Sequence, residues 1–212
     1  MRADCVIFDC DGTLVDSEPL GNEVFAELLN AHGMHISQSE AVQRFRGMKL
    51  ADCLAELEAH WNVKLPTDFA TALRQRTADA FRERLEPMPG ALELVQALNM
   101  PIAVASSGPR DKIELSLSLT GLLPFFGRHI YSSYEIGSWK PDPGIFLHAA
   151  WQLGIEPARC VVVEDSLPGI HGAMAAGMQV VAFQPEAVDP RLPSAVTVVR
   201  SMRALGTLLL AS

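Results

Sequence analysis

The residues best placed to do chemistry follow short apolar runs. Cys5-Val6-Ile7-Phe8 leads into Asp9-Cys10-Asp11-Gly12-Thr13-Leu14, which sets two carboxylates at i and i+2 with a glycine behind them. If residues 5–8 form a strand, a turn at Gly12 lets both carboxylates converge on one pocket, because glycine tolerates tight geometry and close backbone approach. Taken alone, an Asp-x-Asp of this kind is more readily a solvated acidic turn. Three further stretches change that reading. Ile102–Ala105 ends in Ser106-Ser107-Gly108, whose hydroxyls and amides suit phosphate oxygens. Lys140-Pro141-Asp142-Pro143 opens a helical pattern and sets a cation beside an N-terminus that already favours anions. Cys160–Val163 ends in Glu164-Asp165-Ser166, two more carboxylates. Each has a structural alternative: Ser106 as a turn former, Lys140 as a surface lysine, Asp165 as a helix N-cap. All four at successive strand ends, in this order, are far harder to assign to coincidence.

The elements that must carry these groups are legible in outline. Apolar runs at Cys5–Phe8, Ile102–Ala105, His129–Tyr131, Cys160–Val163, Gln179–Phe183 and Thr197–Val199 lack period-two alternation. That is the pattern of strands covered on both faces of a parallel sheet. Helical patterns at Ala91–Leu98, Arg110–Leu119, Pro143–Leu153 and Gly169–Ala176 separate most of them, which predicts an α/β fold with a doubly wound, Rossmann-like parallel sheet. Ligands in such sheets bind beyond the carboxyl ends of the strands, where the polar stretches lie. From Ser17 to about Arg84 nothing reads as a strand, while helical periodicity is plain in Leu20–Ala31, Ser39–Phe45, Leu50–Ala59 and Asp68–Leu85. A helical module over 17–85 is therefore expected as an insertion into a core made of 1–16 and 86–212. Two prolines and a glycine in Leu85–Gly90 mark the return as a boundary or hinge, and Met202–Leu210 reads as a short packing helix.

Composition narrows the partners. The chain has 212 residues, 49% hydrophobic and 20% charged, ordinary for a globular protein with a sizeable core. A net charge of −8 argues against nucleic acid as a partner, so positive charge for an anionic ligand must be concentrated locally by a metal ion and a few lysines. No apolar run approaches a membrane span, and the first residues enter a strand-like stretch without a signal pattern. Cys5, Cys10, Cys53 and Cys160 are scattered, which favours reduced, buried thiols over disulfides or a zinc site. The expectation is a cytoplasmic protein, a monomer or weak homodimer. Trp61 and Trp151 lie on helical patterns and read as packing residues, Trp139 as support behind Lys140, and His171 as a helix-face residue.

Asp9–Ser17 (DCDGTLVDS), Ala105–Ser107 (ASS), Trp139–Pro143 (WKPDP) and Val163–Ser166 (VEDS) resemble the four motifs of the haloacid dehalogenase-like hydrolases. The resemblance covers essentially the whole chain, with the helical insertion similar to that family's cap domain, and the Asp-Gly-Thr form is typical of its phosphatase branches. It implies that Asp9 is a nucleophile forming an aspartyl-phosphate, and that Asp11 is general acid and then base. It implies Mg²⁺ held by Asp9, the Asp11 backbone carbonyl and Asp165 with Glu164 nearby, and a phosphoryl group held by Ser106, Ser107 and Lys140. The physics is compatible: a carboxylate approaching a phosphate dianion meets about 4 kcal/mol of repulsion per charge pair at 4 Å and an effective dielectric of 20, which a metal and a lysine can offset. An oxygen-only site with few protein ligands suits Mg²⁺.

Cap placement and the Lys-Pro-Asp-Pro form resemble the β-phosphoglucomutase-like branch, which holds both mutases and sugar-phosphate phosphatases. Gly21 and Leu50 stand where the mutases carry a histidine and a phosphate-binding arginine, so mutase activity is the alternative and phosphatase activity the main reading. A non-catalytic binding protein is the second alternative, although none of the four motifs is damaged. Within Arg44-Phe45-Arg46-Gly47-Met48-Lys49, Gly47 permits close approach while Arg46 or Lys49 can pair with a second anionic group; a solvated basic helix-turn-helix is the competing reading. With Ser107-Gly108-Pro109 and Trp139-Lys140, this stretch is similar to phosphatases of phosphorylated sugar acids such as 6-phosphogluconate. Linkers near Asp16 and Pro87–Gly90 would let the cap open and close.

Overall fold

The computed structural model describes residues 3–37, 40 and 50–210. The chain divides into two compact units, Met1–Asp16 with Glu86–Ser212, and Ser17–Leu85.

The first unit is built on six parallel strands: β1 (Cys5–Phe8), β2 (Ile102–Ser106), β3 (Ile130–Ser132), β4 (Cys160–Glu164), β5 (Gln179–Phe183) and β6 (Thr197–Val199). Their order, β3-β2-β1-β4-β5-β6, is that of a doubly wound Rossmann-like sheet with β1 near its centre. Every residue of β1 and β4 is buried, because helices cover both faces, and this is why those strands read as continuous apolar runs. One face packs Cys5, Ile7, Ala103, Ala105, Val162 and Ala182 against Ile145, Phe146, Ala149 and Ala150 of the helix Gly144–Leu153 and against Ile170 and Ala173 of the helix Leu167–Ala175. On the alternate register, Phe8 meets Phe126 edge to face at 6.3 Å.

β2 and β4 each run one residue beyond the apolar run, since Ser106 pairs with Ser132 and Glu164 with Ala182 in the ladders. Two polar residues read as loop are thus held by strand hydrogen bonds, and β3 is shifted by one residue for the same reason. Trp151, read as a packing residue, is 73% exposed. The buried face of its helix is formed by Ile145, Phe146, Ala149 and Ala150, and Trp151 lies off that face, which leaves the indole outside. Trp61 is partly buried against the core of its own unit.

The second unit contains α1 (Glu18–Ala31), α2 (Leu50–Trp61) and α3 (Phe69–Arg84). Val24/Leu28 and Phe25/Leu29 of α1, Cys53/Leu57 of α2 and Phe69/Leu73 of α3 are i, i+4 pairs that form one buried cluster with Met34 and Ile36. Asn30 braces the turn after α1, accepting from the Ile36 amide at 3.2 Å and donating to its carbonyl at 3.3 Å. Arg84 pairs with Glu23 through two contacts, joining the end of α3 to α1. The expected helix at Ser39–Phe45 and the segment with Arg46, Gly47 and Lys49 lie outside the described residues.

The remaining helices belong to the first unit: α4 (Ala91–Ala97), α5 (Arg110–Leu119), α6 (Leu123–Phe126), α7 (Ser133–Ile136), α8 (Gly144–Leu153), α9 (Leu167–Ala175) and α10 (Met202–Leu210). No helix among the described residues is long and apolar enough to cross a membrane.

Candidate active site

Motifs far apart in the chain meet because β1 lies between β2 and β4. Phe8 is in register with Val104 on one side and Val163 on the other, so the next residues, Asp9, Ala105 and Glu164, sit at one level at the carboxyl end of the sheet. The Asp9 amide continues the ladder by donating to the Val163 carbonyl at 2.9 Å. The chain then turns sharply: Gly12 has φ +75°, and its amide donates to the Val15 carbonyl at 2.9 Å. A Cβ at Gly12 would lie 2.7 Å from Asp165 Oδ2, so only glycine fits there without moving that carboxylate.

Asp9, Glu164 and Asp165 are all buried, and one carboxylate oxygen from each lies within 4.8 Å of the others. Lys140 Nζ bridges two of them, 2.5 Å from Asp9 Oδ1 and 2.6 Å from Glu164 Oε1. Burial alone would push the lysine down, but the Asp9 and Glu164 charges outweigh it and hold Lys140 above its ordinary value. Burial pushes the Asp9 carboxyl up to about 7, against the opposing pull of Lys140. The Cys10 thiol between the two aspartates is pushed up by burial and by the Asp11 and Asp9 charges, which favours its protonated form. All four cysteines are free and buried.

Glu164 is held from both ends. Its second oxygen accepts from the Ser166 amide at 2.9 Å and from the Ser166 hydroxyl at 2.8 Å. Ser166, rather than Asp165, is the N-cap of α9, accepting from the Gly169 amide at 3.2 Å. Asp165 is left facing the site, its Oδ1 3.5 Å from Thr13 Oγ1 and its carbonyl accepting from Gln184 Nε2 at 2.7 Å. Ser106 is buried at the end of β2, and its hydroxyl accepts from the Gly108 amide at 3.1 Å. Ser107 is half-buried beside it. Asp11, 27% exposed, is the outermost carboxylate of the group and pairs with Lys112 Nζ at 2.8 Å.

Sequence reasoning missed three residues of this site. Lys112 looked like any lysine in the first turn of a helix. Gly169 is required because a Cβ there would fall 1.9 Å from Glu164 Oε1. Gln184, at the end of β5, carries no motif of its own. The one available signal was position: Lys112 lies in the first helical turn after the Ser106–Pro109 loop, and Gln184 follows directly on the strand beside β4. Trp139 packs edge-on to Tyr134 at 5.5 Å, one residue before Lys140.

The donor set is oxygen-only and strongly anionic, which fits a hard divalent cation of the Mg²⁺ class. Three carboxylates around one buried lysine, beside a serine loop, can bind an anion only if further positive charge is supplied, and can then deliver a carboxylate to it. Comparisons with known proteins agree with this chemistry. The family model described as haloacid dehalogenase-like hydrolase matches residues 3–177. A 6-phosphogluconate phosphatase of Escherichia coli is 34% identical over 183 residues, 86% of this chain and 83% of the relative. A haloacid dehalogenase-like protein of unknown function from Agrobacterium tumefaciens shares 33% identity with a TM-score of 0.82, over 99% of this chain and 98% of that one. A hydrolase of the family from Deinococcus radiodurans, solved with bound phosphate and sodium, shares 32% identity with a TM-score of 0.77, over 98% and 95% of the two chains. The chain belongs to the haloacid dehalogenase-like hydrolases.

Proposed function

We propose that this hydrolase is a Mg²⁺-dependent phosphatase of small phosphorylated metabolites, in which Asp9 attacks phosphorus and is then freed by water. The observation that carries the reading is Lys140 set between Asp9 and Glu164 within a cluster of three buried carboxylates at the carboxyl end of β1. Attack forms the bond from an Asp9 oxygen to phosphorus while the bond from phosphorus to the ester oxygen breaks. Asp11 gives its proton to that oxygen, then takes one from the water that cleaves the aspartyl-phosphate. Ser106, Ser107 and Lys140 hold the transferring oxygens. Asp9, the Asp11 backbone carbonyl and Asp165 would hold the metal with the buried Glu164 nearby, and when bound it supplies positive charge against the phosphoryl oxygens.

For the substrate, the name of the 6-phosphogluconate phosphatase relative supports a phosphorylated sugar or sugar acid. Such an acid carries its carboxylate at the end remote from the phosphate, and Arg46 or Lys49, with Gly47 allowing close approach, would pair with it. Lys49→Ala should then raise KM for 6-phosphogluconate while sparing glucose 6-phosphate.

Phosphate release from sugar phosphates, phosphorylated sugar acids, phosphoglycolate and nucleotides, with Mg²⁺ and with EDTA, tests the mechanism. Metal-dependent release that disappears in Asp9→Asn is expected. Interconversion of glucose phosphates without release would replace phosphatase by mutase, and neither activity would leave a binding protein on this scaffold.

A further inference from the structure

Lys112 has no place in the chemistry so far. It stands in the first turn of α5, directly after the loop that carries Ser106 and Ser107, and its Nζ lies 2.8 Å from Asp11 Oδ2. Gly108 lies against the pair: a Cβ there would sit in ordinary contact with both, 3.7 Å from Lys112 Cδ and 3.8 Å from Asp11 Oδ2. The loop is anchored from β3, where Ser132 Oγ donates to the Gly108 carbonyl at 2.6 Å. The contact therefore joins two rigid elements across 101 residues of sequence.

Among Asp9, Asp11, Glu164 and Asp165, Lys140 answers Asp9 and Glu164, while Lys112 answers Asp11. Asp11 is also the most exposed of the four, on a turn that by itself leaves several staggered side-chain rotamers open. We propose that Lys112 is a positioning residue for Asp11, selecting the rotamer from which its carboxyl exchanges a proton with the departing ester oxygen. The inference rests on the acid–base reading of Asp11 above. As the proton passes to that oxygen, the carboxylate left on Asp11 meets the ammonium already beside it. Dependence on Lys112 then follows the leaving group: an alkoxide must be protonated as it departs, whereas p-nitrophenolate leaves without help.

The test compares kcat/KM, which reports steps up to ester cleavage, for 6-phosphogluconate and glucose 6-phosphate as alkyl esters and for p-nitrophenyl phosphate as the aryl ester. Lys112→Met should lose about 10- to 100-fold on the alkyl esters, a part of the full acid–base contribution, and less than about 3-fold on the aryl ester. Lys112→Arg should recover most of that loss. Asp11→Asn serves as the reference and should show the same selectivity more strongly. Equal losses of Lys112→Met on both ester types, or no loss on either, overturn the inference while a selective Asp11→Asn leaves the function standing. An unselective Asp11→Asn would instead overturn the acid–base reading itself. Thermal melts keep the comparison fair, and the lysine side chain is 34% exposed, so the fold tolerates its replacement.

Discussion

Two lysine–carboxylate contacts sit at the same end of one sheet, yet their surroundings differ. Around Lys140 the ammonium and both carboxylates are almost wholly withdrawn from water, with side-chain exposures of 4%, 9% and 1% for Lys140, Asp9 and Glu164. Around Lys112 the two side chains keep 34% and 27% of their exposure. Charges in the first region cannot be screened, so each group is indispensable to the others. In the second region water shares the load, and the contact is worth little to stability. The lesson is that contacts of similar length, 2.5 and 2.8 Å, carry unequal energies when their burial differs. The buried contact holds the site together, while the half-exposed one is free to serve orientation.

The sharpest way to break this contrast is Lys140→Met, which leaves Asp9 and Glu164 as uncompensated buried carboxylates. It should cost about 3–5 kcal/mol in urea unfolding and abolish phosphate release. A cost below about 1 kcal/mol would mean that the region is wetter than its geometry implies.

Next in size is the effect of metal. Mg²⁺ at about 100 times its Kd should stabilise the protein by about 2.7 kcal/mol. At one fixed Mg²⁺ concentration the gain should be larger at pH 8 than at pH 5.5, because Asp9 is pushed up to about 7 and below that value the cation must displace its proton, which raises the Kd. In metal-free protein the sign reverses. A raised carboxyl favours the folded state when protonated, a contribution complete below the unfolded value near 4 and lost as pH rises through about 7. Thermal melts with Mg²⁺ and with EDTA at both pH values check this, and equal gains would place the metal away from Asp9.

Gly169→Ala pushes a methyl group into the Glu164 carboxylate and so disturbs Lys140 from behind. A loss of about 1–3 kcal/mol is expected, with kcat falling more than KM rises. The smallest change belongs to Lys112→Met, about 0–1 kcal/mol in the same unfolding assay. A larger value would erase the distinction between the two lysines.

The residues themselves show why some of this was legible and some was not. Strand runs buried on both faces, the helical repeat of 17–85 and the four polar stretches after β1, β2, β4 and before α8 are local patterns, each readable within a window of about ten residues. They determined the doubly wound class, the inserted helices, and Asp9, Asp11, Ser106, Lys140, Glu164 and Asp165 as the residues to watch. One-residue strand extensions to Ser106 and Glu164 depend on neighbouring strands, and so they escaped a local reading. So did the outward position of Trp151, which depends on which neighbours fill the buried face of α8. Which lysine meets which carboxylate depends on sheet order, across separations of 131 residues for Lys140–Asp9 and 101 for Lys112–Asp11. The need for glycine at position 169 arises only once Glu164 folds back toward Lys140 and Ser166. Sequence by itself determined the chemical inventory and its order along the strands, because periodicity and motif spacing are local. Tertiary structure decided the pairings, burial and clearances, because those depend on which strand ends the parallel sheet sets side by side.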